Sequence, residues 1–220
     1  MTENASATEP VRQAYDFAII GQTDQAYAMA QRSVRHMEKV EGISPAIARG
    51  FDRRLGLALI FAGDYVKAVQ VLEDVQAREE QAGLNKGGAR GTTLLYLAGA
   101  RAGQGRHDAA AQAAMQAADS FAQGPPNDVA IAHSKLTEAL ARARLGQPAS
   151  AHKLIEEART LLLRRAQPNQ TDDLFVDLVQ AETLRGGGST IEAERLDRSA
   201  RERLKAIAGV VLPPMLPLVF

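Results

Sequence analysis

From Leu55 to Val75 the chain reads LGLALIFAGDYVKAVQVLEDV. After Asp64 the apolar residues recur at steps of three and four positions, which places them on one broad stripe of a helix. Gly63 separates this helix from the apolar segment before it. Glycine suits that position because the residue that follows a helix C-cap often has a left-handed backbone. The stretch therefore predicts two helices joined by a tight turn.

The same turn returns at a nearly constant interval. Five times a glycine stands five residues before an alanine, and the alanines follow one another at steps of 42, 42, 41 and 42 residues. The glycines are Gly21, Gly63, Gly105, Gly146 and Gly188, and the alanines are Ala26, Ala68, Ala110, Ala151 and Ala193. A fixed period of this length is typical of stacked repeat proteins. We expect the alanines at close helix crossings, where a larger side chain would overpack the contact.

A second marker separates one helix pair from the next. Asn85, Asn127 and Asn169 are 42 residues apart, and Ser44-Pro45 fills the matching place earlier in the chain. Asparagine and serine accept hydrogen bonds from backbone N–H groups in turns and at helix starts. The predicted helix pairs are 9–20 and 23–39, 45–62 and 64–82, 89–104 and 106–122, 128–145 and 148–166, and 172–185 and 189–208.

Composition narrows the class of protein. Lysine plus arginine equals aspartate plus glutamate at 26 each, so no global field attracts nucleic acid or an anionic membrane. The chain contains no cysteine, which excludes disulfides and thiol chemistry. Residues 1–8 form a polar leader without the apolar core of a signal peptide, and no stretch is apolar for long enough to span a bilayer. The sequence predicts a cytoplasmic protein that binds no nucleic acid.

The repeated pattern resembles the tetratricopeptide repeat (TPR). The residues that carry the resemblance are Leu55-Gly56, Gly63-Asp64-Tyr65, Ala68, Leu72 and Val75. The usual repeat has about 34 residues, so the period here is similar to the longer type found in kinesin-light-chain-like and bacterial signalling arrays. The resemblance implies an all-α, right-handed solenoid of about five antiparallel helix pairs over residues 9–208. Its repeats would be 9–42, 43–84, 85–126, 127–168 and 169–208.

The resemblance also implies a concave groove lined by the first helix of each pair, which would bind a peptide or protein segment. The candidate groove residues are Tyr15, Arg53, Leu57, Leu95, His133, Leu136, Leu140, Arg144, Phe175, Leu178 and Glu182. Packing of the leucines between helices is the equally weighted alternative. Recognition of chaperone C-termini in this family needs asparagines and lysines on the first helices. Here every asparagine lies outside the predicted helices, so we do not expect that activity.

No catalytic arrangement is apparent. The four histidines, His36, His107, His133 and His152, form no pair with the helical zinc spacing. We therefore predict a non-catalytic scaffold without cofactor or metal. Two alternatives remain: a regulatory module that acts with an effector, and an enzyme that uses His133 or His152.

The end of the chain breaks the repeat. Residues 209–220, GVVLPPMLPLVF, carry no charged side chain, and three prolines prevent a regular helix. The apolar residues are Leu212, Met215, Leu216, Leu218 and Phe220. We weigh three interpretations. The tail caps the last helix pair, it binds a partner or another copy of the chain and so forms a homo-oligomer, or it is an artefact of where a longer chain was cut.

Overall fold

A computed structural model describes residues 44–125, 127–165 and 169–206, together with Gln25, Ala28, Met29 and Arg32. The leader, most of the first predicted helix pair and the tail 209–220 lie outside these residues. The continuous ranges form eight helices and no strand. The helices are α1 (Pro45–Phe61), α2 (Tyr65–Gln81), α3 (Gly88–Gly103), α4 (His107–Ala122), α5 (Asp128–Arg144), α6 (Pro148–Leu162), α7 (Gln170–Gly186) and α8 (Thr190–Ala206).

The chain divides into two compact units, Met1–Gly83 and Leu84–Phe220. The N-terminal unit contains the α1–α2 hairpin. The C-terminal unit contains the hairpins α3–α4, α5–α6 and α7–α8. Within it α3 contacts α5 and α5 contacts α7, so the first helices of successive pairs are neighbours. The division falls one residue before the boundary between the predicted repeats 43–84 and 85–126. The repeat bounds and the single five-repeat domain stay predictions.

The turn inside each described pair has the predicted glycine geometry. Gly63, Gly105, Gly146 and Gly188 have φ angles of 77°, 74°, 71° and 87°. At the first of these turns the N–H of Asp64 donates to the carbonyl of Leu59 at 2.9 Å, and the N–H of Gly63 donates to that of Ile60 at 3.1 Å. These two bonds close a Schellman motif. A residue with a Cβ would be strained in this conformation by about 1–2 kcal/mol.

Polar caps start most of the first helices as predicted. The side chain of Asn127 accepts a hydrogen bond from Ala130 N at 3.1 Å, and that of Asn169 accepts one from Thr171 N at 3.0 Å. Asn85, by contrast, lies two residues before the cap of α3. The cap is Gly87, whose φ is 88° and whose N–H donates to the carbonyl of Ser120 at 3.0 Å. This contact with the end of α4 fixes where α3 begins.

Close crossings inside the hairpins depend on small residues. Ala68, Ala110, Ala151 and Ala193 are fully buried, as predicted. A Cβ on Gly56 would lie 2.6 Å from the side chain of Leu72, and one on Gly91 would lie 2.8 Å from the ring of Phe121. The two helices of a pair therefore approach to a distance at which a glycine hydrogen is the largest group that fits.

The α6 helix ends at Leu162, four residues before the predicted boundary.

Candidate functional site

The surface on which a ligand would meet several repeats is the exposed side of α3, α5 and α7, called here the first-helix face. In the middle of α3, from Thr93 to Ala100, every side chain but one is buried. The exception is Tyr96, which is partly exposed and stands one turn after the partly exposed Thr92. An aromatic ring at the surface offers apolar area to a ligand.

The apolar residues of the predicted groove lie in the core. None of them is more than 6% exposed, and Leu136, Leu140 and Phe175 are fully buried. The others in this set are Leu57, Leu95 and Leu178. They pack between helices, which is the alternative that the sequence left open. They support the face from beneath and offer little surface to a ligand.

The charged groove candidate of the N-terminal unit, Arg53, has a partner in its own hairpin. Arg53 Nη1 donates to Glu79 Oε1 at 2.7 Å, and the Glu79 side chain is fully buried. Arg78 on the same helix bonds Asp52 Oδ2 at 2.6 Å. These pairs link α1 to α2, because each joins a residue of one helix to a residue of the other. The remaining groove candidate near the N terminus, Tyr15, lies outside the described residues.

Within the C-terminal unit, His133 on α5 makes a polar contact with α7 across the boundary between two repeats. Its Nε2 lies 2.8 Å from Asp172 Oδ1, and both side chains are almost fully buried. Arg165 bonds the other oxygen of Asp172, and Phe175 packs edge-on against the His133 ring at a centroid distance of 6.0 Å. Burial alone would raise the pKa of Asp172. The hydrogen bond from His133 and the charges of His133 and Arg165 outweigh burial, so its pKa lies below the ordinary value. The carboxylate is ionised and His133 Nε2–H donates to it.

A second bridge crosses the same boundary near the glycine turns. Arg144 Nε donates to Glu182 Oε1 at 3.2 Å, and Arg185 bonds the other carboxylate oxygen of Glu182. All three side chains are partly exposed. A Cβ on Gly186 would lie 3.0 Å from the carbonyl oxygen of Ala143, so the ends of α5 and α7 lie close together. Two predicted groove residues, Arg144 and Glu182, are thus brought into direct contact.

His107, the first residue of α4, adds an imidazole to this bridge. Burial lowers the pKa of His107, and the positive charge of Arg144 lowers it further, while Asp108 and Glu182 act in the opposite direction. Its Nδ1 is buried and makes no hydrogen bond with any described residue. His107, Arg144, Glu182 and Arg185 form what we call the turn-end cluster. Because its pKa is lowered, the imidazole of His107 is uncharged more often than that of an exposed histidine at the same pH.

Sequence reasoning missed Tyr96 and the contribution of His107 to this face. Tyr96 stands within an apolar run, so its exposure was hidden by the buried neighbours Leu95 and Leu97. The available signal was the helical period, since positions 92 and 96 lie on the opposite side from positions 94 and 98. His152, the other candidate catalytic histidine, is exposed on α6. His36 lies outside the described residues.

Among the described residues, the His133 ring contacts Phe175 and Asp172 and has no serine, threonine or lysine bonded to it. In the part of the chain that the structure describes, no three carboxylate or histidine side chains are grouped to hold a metal ion. Over the same residues, no helix is both long and apolar enough to cross a bilayer.

Comparisons with solved structures find the same fold. One structure of the nearly identical TPR-like repeats of a Podosopora anserina protein classed as a kinesin light chain matches with a TM-score of 0.67 at 19% identity, over 94% of this chain and 98% of that one. A second structure of these repeats matches with a TM-score of 0.65 at 19% identity, over 94% and 99%. BtubC (BKLC) from P. vanneervenii matches with a TM-score of 0.63 at 15% identity, over 96% and 93%. No protein-family model and no curated protein matches the sequence. The chain therefore has a TPR-like repeat fold, and at these identities the likeness concerns the fold alone.

Proposed function

We propose that the chain is a non-catalytic scaffold that binds a peptide or protein segment on the first-helix face of its C-terminal unit. The observation that carries the proposal is the pairing of Arg144 with Glu182 across a repeat boundary. It keeps polar groups from two repeats beside each other at the surface. A ligand that lies across α3, α5 and α7 could then contact both repeats at once. Repeat folds of this kind present extended binding surfaces.

The face offers two kinds of anchor. Tyr96 supplies an aromatic contact on α3, and aromatic residues are frequent among the side chains that dominate binding energy. The turn-end cluster supplies hydrogen-bond donors and one carboxylate, which suit the backbone and polar side chains of an extended peptide. The proposed ligand is therefore a mixed polar and apolar peptide segment.

A cytoplasmic location stays a prediction of the sequence.

The test is a selection from a displayed random-peptide library against the full chain. Peptides that are enriched on the wild type are then measured by fluorescence anisotropy against Tyr96→Ala. We expect a loss of affinity of at least tenfold, because truncation of an aromatic anchor costs about 2 kcal/mol or more. Arg144→Ala is expected to weaken the same peptides by a smaller factor, because its contact with the ligand is partly exposed.

The matched control is Met115→Ala, which removes a partly exposed side chain from α4, a second helix of the same unit. Its affinity for the selected peptides should equal that of the wild type. If no peptide is enriched, or if Tyr96→Ala and Met115→Ala have equal effects, the proposed face is wrong. An enzyme that uses His133 is disfavoured because this histidine is only 9% exposed, which leaves little of its ring open to a substrate. No observation on the described residues favours the regulatory alternative.

A further inference from the structure

The second helix of a pair has one side that faces the next pair, and α6 shows where that side lies. The α6 helix contacts α7, and Arg159 of α6 bonds Gln180 of α7. Ile155 stands one turn before Arg159 on the same side of α6 and is fully buried. We call this side of a second helix its stacking side.

The repeat period locates the same place on the other second helices. Ile155 stands four residues after the repeated alanine of its helix. The residues at this place in α2 and α4 are Leu72 and Ala114, and both are fully buried. In α8 the place is taken by Asp197, whose side chain is 22% exposed. A carboxylate therefore stands in α8 where the other three second helices have a buried apolar side chain.

The surroundings of Asp197 are charged as well. Arg201 stands one turn after it, and Arg201 Nε donates to Asp197 Oδ2 at 2.6 Å while Nη2 donates to Oδ1 at 3.1 Å. A groove of about 350 Å³ lies beside this pair. Its lining consists of three arginines and three carboxylates, which are Arg185, Glu194, Asp197, Arg198, Arg201 and Glu202. The stacking side of α8 therefore offers balanced charge where α6 offers Ile155.

Stacking of another pair on this side would bury the ion pair between Asp197 and Arg201. Both residues lie on α8, so their bond already exists without a neighbour, and burial would only remove their hydration. The buried carboxylate of Asp172 differs in this respect. Its partner His133 stands on another helix, so closing the α5–α7 boundary forms the contact that offsets the lost hydration. Burial is therefore unfavourable for Asp197 in a way that it is not for Asp172.

We propose that α8 closes the stack of helix pairs, and that Asp197 prevents a further hairpin, from this chain or from a second copy, from packing on it. The terminal pair of a repeat array needs a polar outer face, and the charged stacking side of α8 supplies one. The first-helix face therefore cannot be extended past α7 by stacking. This inference is independent of the ligand proposed for that face.

The test adds a hairpin to the full chain. A copy of residues 163–206 is inserted after Ala206, and the copy carries Asp172→Ala because Phe175 of α7 stands at the place of His133. Hydrogen exchange is followed by mass spectrometry on the peptide of the added hairpin that contains this substitution, which gives it a distinct mass. We expect its amides to exchange as fast as those of an unfolded chain. Asp197→Ile in the original α8 reproduces Ile155 and should slow this exchange at least tenfold.

The matched control is Ser199→Ile in the original α8 of the same extended chain. Ser199 is exposed and lies on nearly the opposite side of α8, because two residues turn a helix by about 200°. This variant should leave exchange in the added hairpin unchanged. Circular dichroism confirms that the original helices are folded in each variant. Equal exchange with and without Asp197→Ile would overturn the proposal, and so would an equal slowing by Ser199→Ile.

Discussion

The α3–α4 hairpin and the α5–α7 boundary are both helix contacts of the C-terminal unit, and different chemistry holds each of them. In the hairpin, Gly91 admits the ring of Phe121, and Ala98 packs with the small residues of α4. At the boundary, His133 reaches Asp172 and Arg144 reaches Glu182. The contact inside this hairpin thus depends on how closely two backbones approach, while the contact between these two repeats also depends on specific polar pairs. The two types should respond differently to mutation.

The largest effect is expected in the hairpin. Phe121→Ala removes a buried ring from its contact with Gly91, which should lower the free energy of unfolding by about 3–5 kcal/mol. Urea denaturation followed by circular dichroism measures this loss. Gly91→Ala alone should also destabilise the protein, by about 1–3 kcal/mol, because the new methyl group would press on the ring.

The double variant tests whether ring and glycine act together. Once Phe121→Ala has removed the ring, Gly91→Ala should become neutral or stabilising by up to about 1 kcal/mol, since alanine favours the helix more than glycine does. Additive losses in the double variant would mean that close approach at Gly91 is not what constrains this hairpin.

An intermediate effect is expected at the boundary. Asp172→Ala leaves the buried His133 Nε2–H without its acceptor, and loss of a hydrogen bond to a charged group costs about 1.5–3 kcal/mol. Asp173→Ala is the matched control, because Asp173 also lies in the first turn of α7 but is exposed. Its loss should stay below about 1 kcal/mol, the size of a helix-dipole interaction. Equal losses for the two variants would contradict the assigned bridge.

The pH dependence of this difference follows from the pKa of Asp172, which is depressed in the folded protein below its ordinary value of 3.8. A depressed pKa contributes stability that is fully present above the unfolded pKa and is lost as the pH falls through the folded pKa. The gap in unfolding free energy between wild type and Asp172→Ala should therefore be present at about pH 5 and should narrow below about pH 4. If the gap instead widened as the pH fell below about 4, the direction assigned to the pKa shift of Asp172 would be wrong.

The smallest effect is expected for an exposed link inside a repeat. Lys135 Nζ on α5 lies 2.6 Å from Glu157 Oε2 on α6, and both side chains are partly exposed. Lys135→Ala should change the free energy of unfolding by at most about 1 kcal/mol, because solvent and salt screen such pairs. Differential scanning calorimetry at low and high salt measures the change. A loss as large as that of Asp172→Ala would show that polar pairs matter equally inside repeats and between them.

The hairpins were predictable because their geometry restricts residue type. A left-handed backbone selects glycine at Gly105 and Gly146, and a close crossing selects alanine at Ala110 and Ala151. Both restrictions repeat with every described pair, so the sequence displays them as a period. The start of α3 was less predictable because it depends on the bond between Gly87 and Ser120, two residues 33 positions apart.

The candidate site was predictable only in part. The resemblance placed Arg144 and Glu182 on first helices, but nothing in the sequence paired them or brought His107 beside them. Such partners lie about 40 residues apart and differ from one boundary to the next, so no period reveals them. Tyr96 was missed because burial of its neighbours is a property of the packed helices rather than of residue type.

The polar bridge between His133 and Asp172 has a consequence for how this chain can be rearranged. Because the glycine turns are alike, a gene duplication or a designed exchange would give hairpins that each fold in the same way. A hairpin moved to another place would meet a neighbour without the matching carboxylate or imidazole, and a polar group would then be buried unpaired. The order of the repeats is therefore part of what this sequence encodes, even though their turns are interchangeable.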